Sequence, residues 1–509
     1  MASGQSFGLL EIPGDTRYIL LFILALSPLF LAFINRQGRR GWALAAVGNL
    51  LIYLTVLLPA IAGNQLIVDA AAMFEEGTRI SNPRILTSGA MALGLLGGYV
   101  ILFAGLIDLE EMGTSQVVRA LTGVIGVFLV VVGLLNGTFD IFSIMVEYNT
   151  RGDTLAQRFI EHIVFVIVAL VAGLIIGLAL GLWASRDKRA KDIILYSVSI
   201  IQTIPSLALF GVLLVPLARL GNQSFSSIFR VWLLMVLIAA AIVVIVRFIA
   251  PLLPMRFSQV SLALASATAF VPIGLLVMIL ISFGFEVILN IFTLDDIGTA
   301  RNIVLGALIT LPILVLANRQ LDPLRDAQWL LYLRYSVSIV LALGLVYLLW
   351  VGGSRVVGSQ PLGELTARDL GVSGIGTAPA IIALTLYSLL PLVRNTYAGL
   401  TNIDPAIIDS GRGMGMTPSQ IFFQIELPLA FPVIMAGVRN AGISLVGITA
   451  LASVIGAGAL GDFILLGINS TSIDQILLGT IPAIVLAVFL DAILQAVEGL
   501  FTSPGIRQT

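Results

Sequence analysis

Between Ile403 and Gly437 the run IDPAIIDSGRGMGMTPSQIFFQIELPLAFPVIMAG breaks long apolar stretches with carboxylates, a guanidinium, glycines and prolines at ordered spacings. Asp404 before Pro405 reads as an N-cap with proline at the first helical position, where its missing N–H costs nothing. Thr417 and Pro418 repeat the arrangement, and Gln420 stands three residues after Thr417, as a capping box requires. The spacing predicts two short helices joined by a hinge. Gly411, Gly413 and Gly415 lie between the caps, where they permit a turn or the close approach of another backbone. The chemistry open to such an element is recognition. Asp409 near a helix start is favoured by the helix dipole and can meet a partner's basic group, while Arg412 has either that partner or lipid headgroups to contact. A membrane chain keeps so ordered a water-facing element where something docks on it.

Covalent and metal chemistry have little to work with. There are no cysteines, which excludes disulfides, thiolate nucleophiles and Cys-based metal sites. His162 is the sole histidine, expected at the mouth of a membrane span, and alone it builds neither a metal site nor a triad. Gly456-Ala457-Gly458-Ala459-Leu460-Gly461 fits G-x-G-x-x-G formally, but no strand precedes it, so it does not read as a nucleotide site. Gly173, Gly177 and Gly181 follow small-xxx-small spacing, which favours close helix packing. Asp491 falls inside the last apolar span close to Glu498 and reads as a satisfied structural carboxylate. Gln202, Thr203 and Ser206 flank Pro205, and Asn395 and Thr396 precede the docking run. These are candidate linings of a translocation path, or partners for broken helix backbone. No catalytic, cofactor-binding or metal site is expected on this chain.

The elements that must hold these residues are membrane helices. Hydrophobic residues make up 58% of the chain and charged ones 11%, with a mean hydropathy of +1.06. A soluble domain carries about 25% charged residues. The net charge of −1 leaves no basic footprint for nucleic acid. About thirteen apolar spans of about 17–25 residues are predicted, near 18–34, 42–63, 85–107, 117–137, 159–184, 193–218, 228–250, 260–283, 300–317, 331–351, 376–393, 429–455 and 475–497. Their uninterrupted apolar character suits helices, not alternating barrel strands, and the spans carry almost no mid-span charge. Arg186, Lys188, Arg189 and Lys191 form the densest basic loop. Placing it in the cytoplasm puts the N-terminus outside, the C-terminus inside, and the Asp409 segment in the cytoplasm. The acidic loop Asp108–Glu111, also assigned inside, runs against that rule.

The residues from about Thr154 to Gly505, with a large gap in the middle, resemble the permease subunits of ABC importers, and most closely those of osmoprotectant type (glycine betaine, choline, carnitine). The family's cytoplasmic signature is Glu-Ala-Ala, three residues, Gly, nine residues, then Ile-x-Leu-Pro. Here Asp409-Ser410-Gly411 occupy the first three positions, Gly415 the glycine, and Ile425, Leu427 and Pro428 the end. QTIPSLAL at Gln202–Leu209, LPLVRNTYAGL at Leu390–Leu400, RGMGMTPSQ at Arg412–Gln420 and LPLAFPVIMAGVRNA at Leu427–Ala441 are similar to the osmoprotectant subgroup. The Gly-rich run at Gly456 is similar to the family's turn between its last two core helices, with Ala459 where a glycine is usual.

The resemblance implies an all-α integral membrane fold whose five-helix type I importer core is interrupted by a four-helix insertion. The implied organisation is extra N-terminal helices over 1–150, a first core part over 151–221, the insertion over 222–373, and a second core part with the coupling helix over 374–509. An even number of inserted spans returns the chain to the same side. Asp409, Ser410, Gly411, Arg412, Gly415, Met416, Thr417, Pro418 and Pro428 would contact an ABC ATPase, a helix-in-groove contact. Because Gly forms helix less readily than Ala by about 1 kcal/mol, Gly411 implies a softer docking helix. The implied partners are ATPase subunits carrying ATP and Mg, an extracytoplasmic solute-binding protein, a second permease copy or paralogue, and membrane lipid. The implied location is the bacterial cytoplasmic membrane. Alternatives are a permease for methionine or another amino acid, an ion-coupled secondary transporter, and a lipid-directed membrane enzyme. The second would need mid-span ionisable pairs in matching halves, and the third a catalytic dyad or metal cluster.

Overall fold

In the computed structural model, residues 39–73, 89–140, 142–249, 255–293, 298–320, 328–358 and 365–501 are described. Among them every regular element is helical. Eight helices are long and apolar enough to cross a membrane, or nine if one bent pair is counted as a single span. The predicted span 18–34 lies outside the described residues. Near 117–137 and 228–250 the apolar stretches are shorter, Leu121–Leu135 and Ser226–Ile242. The chain divides into two compact units, Met1–Gly152 with Leu466–Leu478, and Asp153–Leu465 with Gly479–Thr509.

The first unit contains α1 (Arg39–Met73), α2 (Gly89–Glu111), α3 (Gln116–Leu135) and the beginning of α4 (Ser143–Arg186). α1 and α2 approach backbone to backbone. A Cβ on Gly48 would stand 2.5 Å from the Leu102 nitrogen, and one on Gly105 2.5 Å from that of Ala45. Close helix approach of this kind is how membrane helices gain packing without a hydrophobic driving force. Buried Asn49 ties α1 to α3. Its amide donates to Ala45 O and Thr122 O at 2.9 Å, and its Oδ1 accepts from Gly126 N at 2.6 Å. Thr122 O and Gly126 N are the i and i+4 groups that a helix would bond to each other, so the side chain is inserted into the ladder of α3. Asn49→Leu is expected to cost about 1–3 kcal/mol by stranding these groups, read as faster amide exchange in α3 and a lower melting temperature in detergent. At one end of this unit Arg40 forks onto Asp108 at 2.6 and 3.0 Å, and Arg119 pairs with Glu110 at 2.6 Å. Two of the three carboxylates in the acidic loop that ran against the charge rule, Asp108 and Glu110, are therefore paired with arginines of its own end.

The second unit contains the rest of α4, then α5 (Lys188–Thr203), α6 (Ser206–Gly221), α7 (Phe225–Ile249), α8 (Met255–Thr293), α9 (Gly298–Gln320) and α10 (Gln328–Val357). It continues through α11 (Thr377–Thr401), α12 (Pro405–Gly413), α13 (Pro418–Ile421) and α14 (Leu427–Thr449) to α15 (Gly461–Ser470) and α16 (Ile473–Phe501), parts of which belong to the first unit. α11 is its most buried helix, with α4 and α14 against it. The predicted glycine face does this packing. Cβ atoms on Gly177 and Gly181 would stand 2.7 Å from Leu392 Cβ and 2.5 Å from Thr396 Cβ, and Gly173 faces Ser388. The predicted span 193–218 is broken at Pro205. α5 and α6 meet at 101° across Ile204-Pro205, because proline offers no N–H to continue the ladder. The freed Ile204 carbonyl accepts from the Tyr387 hydroxyl.

Helices α7–α10 leave and return at one place. Ala367 N donates to Gln223 O and Arg368 N to Gly221 O, both at 3.0 Å, so the segment they form is closed at its base by backbone hydrogen bonds. It is also packed onto the core, with the Phe285 ring 4.4 Å from that of Phe165. Mid-span charge is present after all. Arg439 of α14 bonds Asp491 of α16 at 2.8 Å and approaches Glu498 at 3.6 Å, which gives Asp491 its partner.

Candidate functional site

The Asp404–Pro428 run folds locally much as its spacing dictates. Asp404 Oδ1 accepts from Ala406 N at 2.9 Å and opens α12. The helix closes with Gly415 N on Arg412 O at 2.9 Å and Met416 N on Gly411 O at 3.1 Å, the paired bonds of a Schellman motif. Gly415 sits at φ +80°, where side chains are disfavoured. Thr417 and Gln420 form the reciprocal capping box, with Thr417 N on Gln420 Oε1 at 2.8 Å and Gln420 N on Thr417 Oγ1 at 3.4 Å. A π-helical turn, Phe422–Glu426, then leads into α14 at Leu427-Pro428.

Asp409, Ser410, Arg412, Gly415, Thr417, Pro418 and Pro428 are exposed, Met416 is half-buried, and Gly411 is buried. The departure from alanine at Gly411 has a packing reason. A Cβ there would stand 2.8 Å from Ile425 Cδ1, so glycine lets α12 settle on the turn that follows it. Asp409 and Arg412 pair at 3.1 Å, but both are about two-thirds exposed, so the bond adds little and leaves both free to exchange partners. Ile407, Met414 and Phe423 stand 43%, 74% and 64% exposed around them. Apolar side chains rimmed by charge on an ordered segment are the composition of a docking surface.

The link from this segment to the bundle is an ion pair absent from the sequence reading. Glu426, 4% exposed at the end of the π turn, receives both terminal nitrogens of Arg186 from the end of α4. The signal lay in a carboxylate inside the apolar run Ile425–Ala430 and a guanidinium closing a long span. Beside it Lys191 stands 5.2 Å from the Tyr397 ring centre, a cation–π contact between α5 and α11.

The candidate translocation residues fall in two places. Gln202, Thr203 and Pro205 are exposed at the α5–α6 break with Ser206 half-buried, and Thr203 Oγ1 donates to Ile200 O at 2.7 Å. Asn395 and Thr396 lie more than two turns along α11 from Tyr387, the residue that meets the break. Asn395 donates to Pro391 O at 2.8 Å and packs at Gly437, while Thr396 is 2% exposed against Gly181.

His162 is fully buried, with Nε2 3.1 Å from Val446 O, and packs against α14. Its neighbour Glu161 organises the Gly-rich turn by accepting from Ala459 N at 3.1 Å and Arg158 Nη1 at 2.7 Å, and Arg158 also meets Asp462 at 2.9 Å. Gly456, Gly458 and Ala459 all have φ near +70° to +86°, so the turn depends on left-handed backbone at three positions. Gly458→Ala would drive a Cβ onto Arg158 Nη1 and to 2.5 Å from Glu161 Oε2. That variant is expected to lose about 2 kcal/mol or more of stability, whereas Gly447→Ala, in a helix with open space, should lose none. Melting temperatures of the two variants check this.

These features define a multi-pass membrane protein, helical throughout its described residues, with an ordered, capped and exposed element at Pro405–Ile421. Residues 248–502, about half the chain, match the family described as binding-protein-dependent transport system inner membrane component. The choline transport system permease protein OpuBB of Bacillus subtilis is 40% identical over 158 residues, 31% of this chain and 73% of that protein. The glycine betaine/carnitine/choline transport system permease protein OpuCB of the same organism is 39% identical over 157 residues, 31% of this chain and 72% of that one. The carnitine transport permease protein OpuCD of Listeria monocytogenes is 36% identical over 201 residues, 39% of this chain and 80% of that one. The chain belongs to the binding-protein-dependent transport permease family.

Proposed function

We propose that this chain is the transmembrane pore subunit of an ATP-driven importer for osmoprotectants such as glycine betaine, choline or carnitine, the solutes in the names of its relatives. The observation that carries the reading is the exposed, capped α12–α13 element joined to the bundle through Glu426 and Arg186. ATPase subunits holding ATP and Mg dock on α12, so hydrolysis happens on them and not on this chain. Their closure pushes the π turn, and the push reaches α4 through the ion pair and α11 through the α12 connection. The docking end faces the cytoplasm, supported by Arg186, Lys188 and Lys191 there. The N-terminus is then outside and the C-terminus inside, in the bacterial cytoplasmic membrane. A solute-binding protein delivers from the other face, and a second permease completes a pore whose path passes the α5–α6 break. Copurification with a candidate ABC ATPase, followed by ATP hydrolysis in liposomes stimulated by loaded binding protein, tests the reading. Stimulation by glycine betaine or choline is expected. Assembly and transport that survive scrambling of Pro405–Gly415 would overturn it.

A further inference from the structure

Where the end of α4 and the start of α5 meet the end of α11, a pocket of about 400 Å³ opens to the surface. Arg186 of α4 lines it with Lys188, Lys191 and Asp192 of α5 and with Tyr397 and Thr401 of α11. Lys191 is half-buried, and its ammonium lies 5.2 Å from the Tyr397 ring centre, which holds the charge at the pocket wall. Arg394 stands one turn deeper on the same face of α11, three residues before Tyr397 and seven before Thr401. It is exposed, although it belongs to the membrane span Thr377–Thr401.

The charges here do not cancel. Arg186 is balanced by Glu426. Among the described residues Lys188, Lys191 and Arg394 have no carboxylate partner, and the Tyr397 hydroxyl has no acceptor. Asp192 is the one carboxylate of the lining. Set against Lys188, one turn before it on α5, it still leaves two cations over. An arginine exposed along a membrane span calls for a negative group to meet it. The border of the pocket tells where that group comes from. Trp183, Ile193, Tyr196 and Ile200 are exposed beside it on α4 and α5, an apolar face carrying the aromatic rings typical of a membrane boundary. A soluble anion would make no use of that face. A molecule with an anionic head and apolar tails uses both, and for it the opening is the way the tails leave.

We infer that this pocket binds the headgroup of an anionic phospholipid, its phosphate among Lys188, Lys191 and Arg394 and its acyl chains along the exposed apolar face of α5. Basic pockets between spanning helices suit such headgroups, and a guanidinium can fork onto two phosphate oxygens. The Tyr397 hydroxyl supplies one more donor. A lipid held there also lies against Arg186, beside the ion pair that ties the π turn to α4. The site depends on the membrane placement of the chain and not on which solute the chain moves.

The test is native mass spectrometry of the purified full-length chain, delipidated in detergent and titrated with phosphatidylglycerol or phosphatidylcholine of matched acyl chains. Phosphatidylglycerol is expected to bind about tenfold or more tightly, and the triple variant Lys188→Gln/Lys191→Gln/Arg394→Gln should erase that preference. Arg219→Gln, which changes an exposed arginine near the other end of the bent α5–α6 pair, should leave it unchanged. No preference in the wild type, or one that survives the triple variant, overturns the site. Inorganic phosphate that competes as well as phosphatidylglycerol overturns the lipid assignment in favour of a soluble anion. Loss of ATPase copurification by a triple variant that keeps its lipid preference assigns the pocket to that partner instead. Quenching by brominated lipid needs no change in the pocket. In phosphatidylcholine nanodiscs, the part of the fluorescence that Trp183→Phe removes should be quenched more by a small fraction of brominated phosphatidylglycerol than by the same fraction of brominated phosphatidylcholine. Equal quenching overturns the site.

Discussion

Replacing Arg186 by leucine is expected to destabilise the protein by about 3 kcal/mol, more than replacing Glu426, its partner, by leucine. The asymmetry follows from exposure. The Glu426 side chain is 5% exposed, so without Arg186 its carboxylate stays buried with no counter-charge. The Arg186 side chain is 53% exposed, and water serves it when Glu426 is removed, so that loss should be about 1 kcal/mol. The double variant Arg186→Leu/Glu426→Leu removes both charges and should recover most of the difference, because an apolar pair of similar volume is commonly neutral at such a site. Melting temperatures in detergent give the order. Equal losses, or a greater loss for Glu426→Leu, would show that the pair is not organised by burial. Transport separates packing from coupling. If the pair carries motion from the π turn to α4, the double variant should stay folded and bind ATPase yet transport poorly.

Gly415→Val should act almost entirely on assembly. The residue has φ +80°, and nothing lies within 4 Å of the Cβ it would gain, so the penalty is conformational and not steric crowding by neighbours. A β-branched residue in that region costs about 2 kcal/mol, enough to open the Schellman closure and move Met416 and Thr417 off their caps. The segment is exposed, so the melting temperature of the bundle should hardly change. ATPase copurification and transport should each fall about tenfold or more. Gly415→Asn should be milder, because asparagine tolerates the left-handed region. Wild-type association by the valine variant, or a worse asparagine variant, would sink this account.

The docking element was legible because its determinants are local. Asp404-Pro405, Thr417-Pro418 and Gln420 act on backbone groups within four residues, so their spacing alone fixes both N-caps. The glycine face at Gly173, Gly177 and Gly181 was legible for a similar reason, since one helical periodicity places all three on one side. What escaped were partners far apart in sequence. Arg186 and Glu426 are 240 residues apart, and Glu161 reaches Ala459 across 298. For His162 the distance along the helix was readable and the helix opposite it was not. The break at Pro205 was signalled by the proline, but its 101° bend and the Tyr387 hydroxyl that donates to the released Ile204 carbonyl were not.

By itself, the sequence determined that this is a helical membrane protein with two capped short helices at Pro405–Ile421, because hydropathy and capping are properties of contiguous residues. The tertiary structure alone decided how that element is attached and where helices α7–α10 return to the bundle. Burial turns Glu426 from one of many carboxylates into the partner of Arg186, and chain closure at Gly221 and Arg368 brings Glu286 to the start of α11. Such pairings depend on which helices become neighbours, and no local pattern encodes that choice.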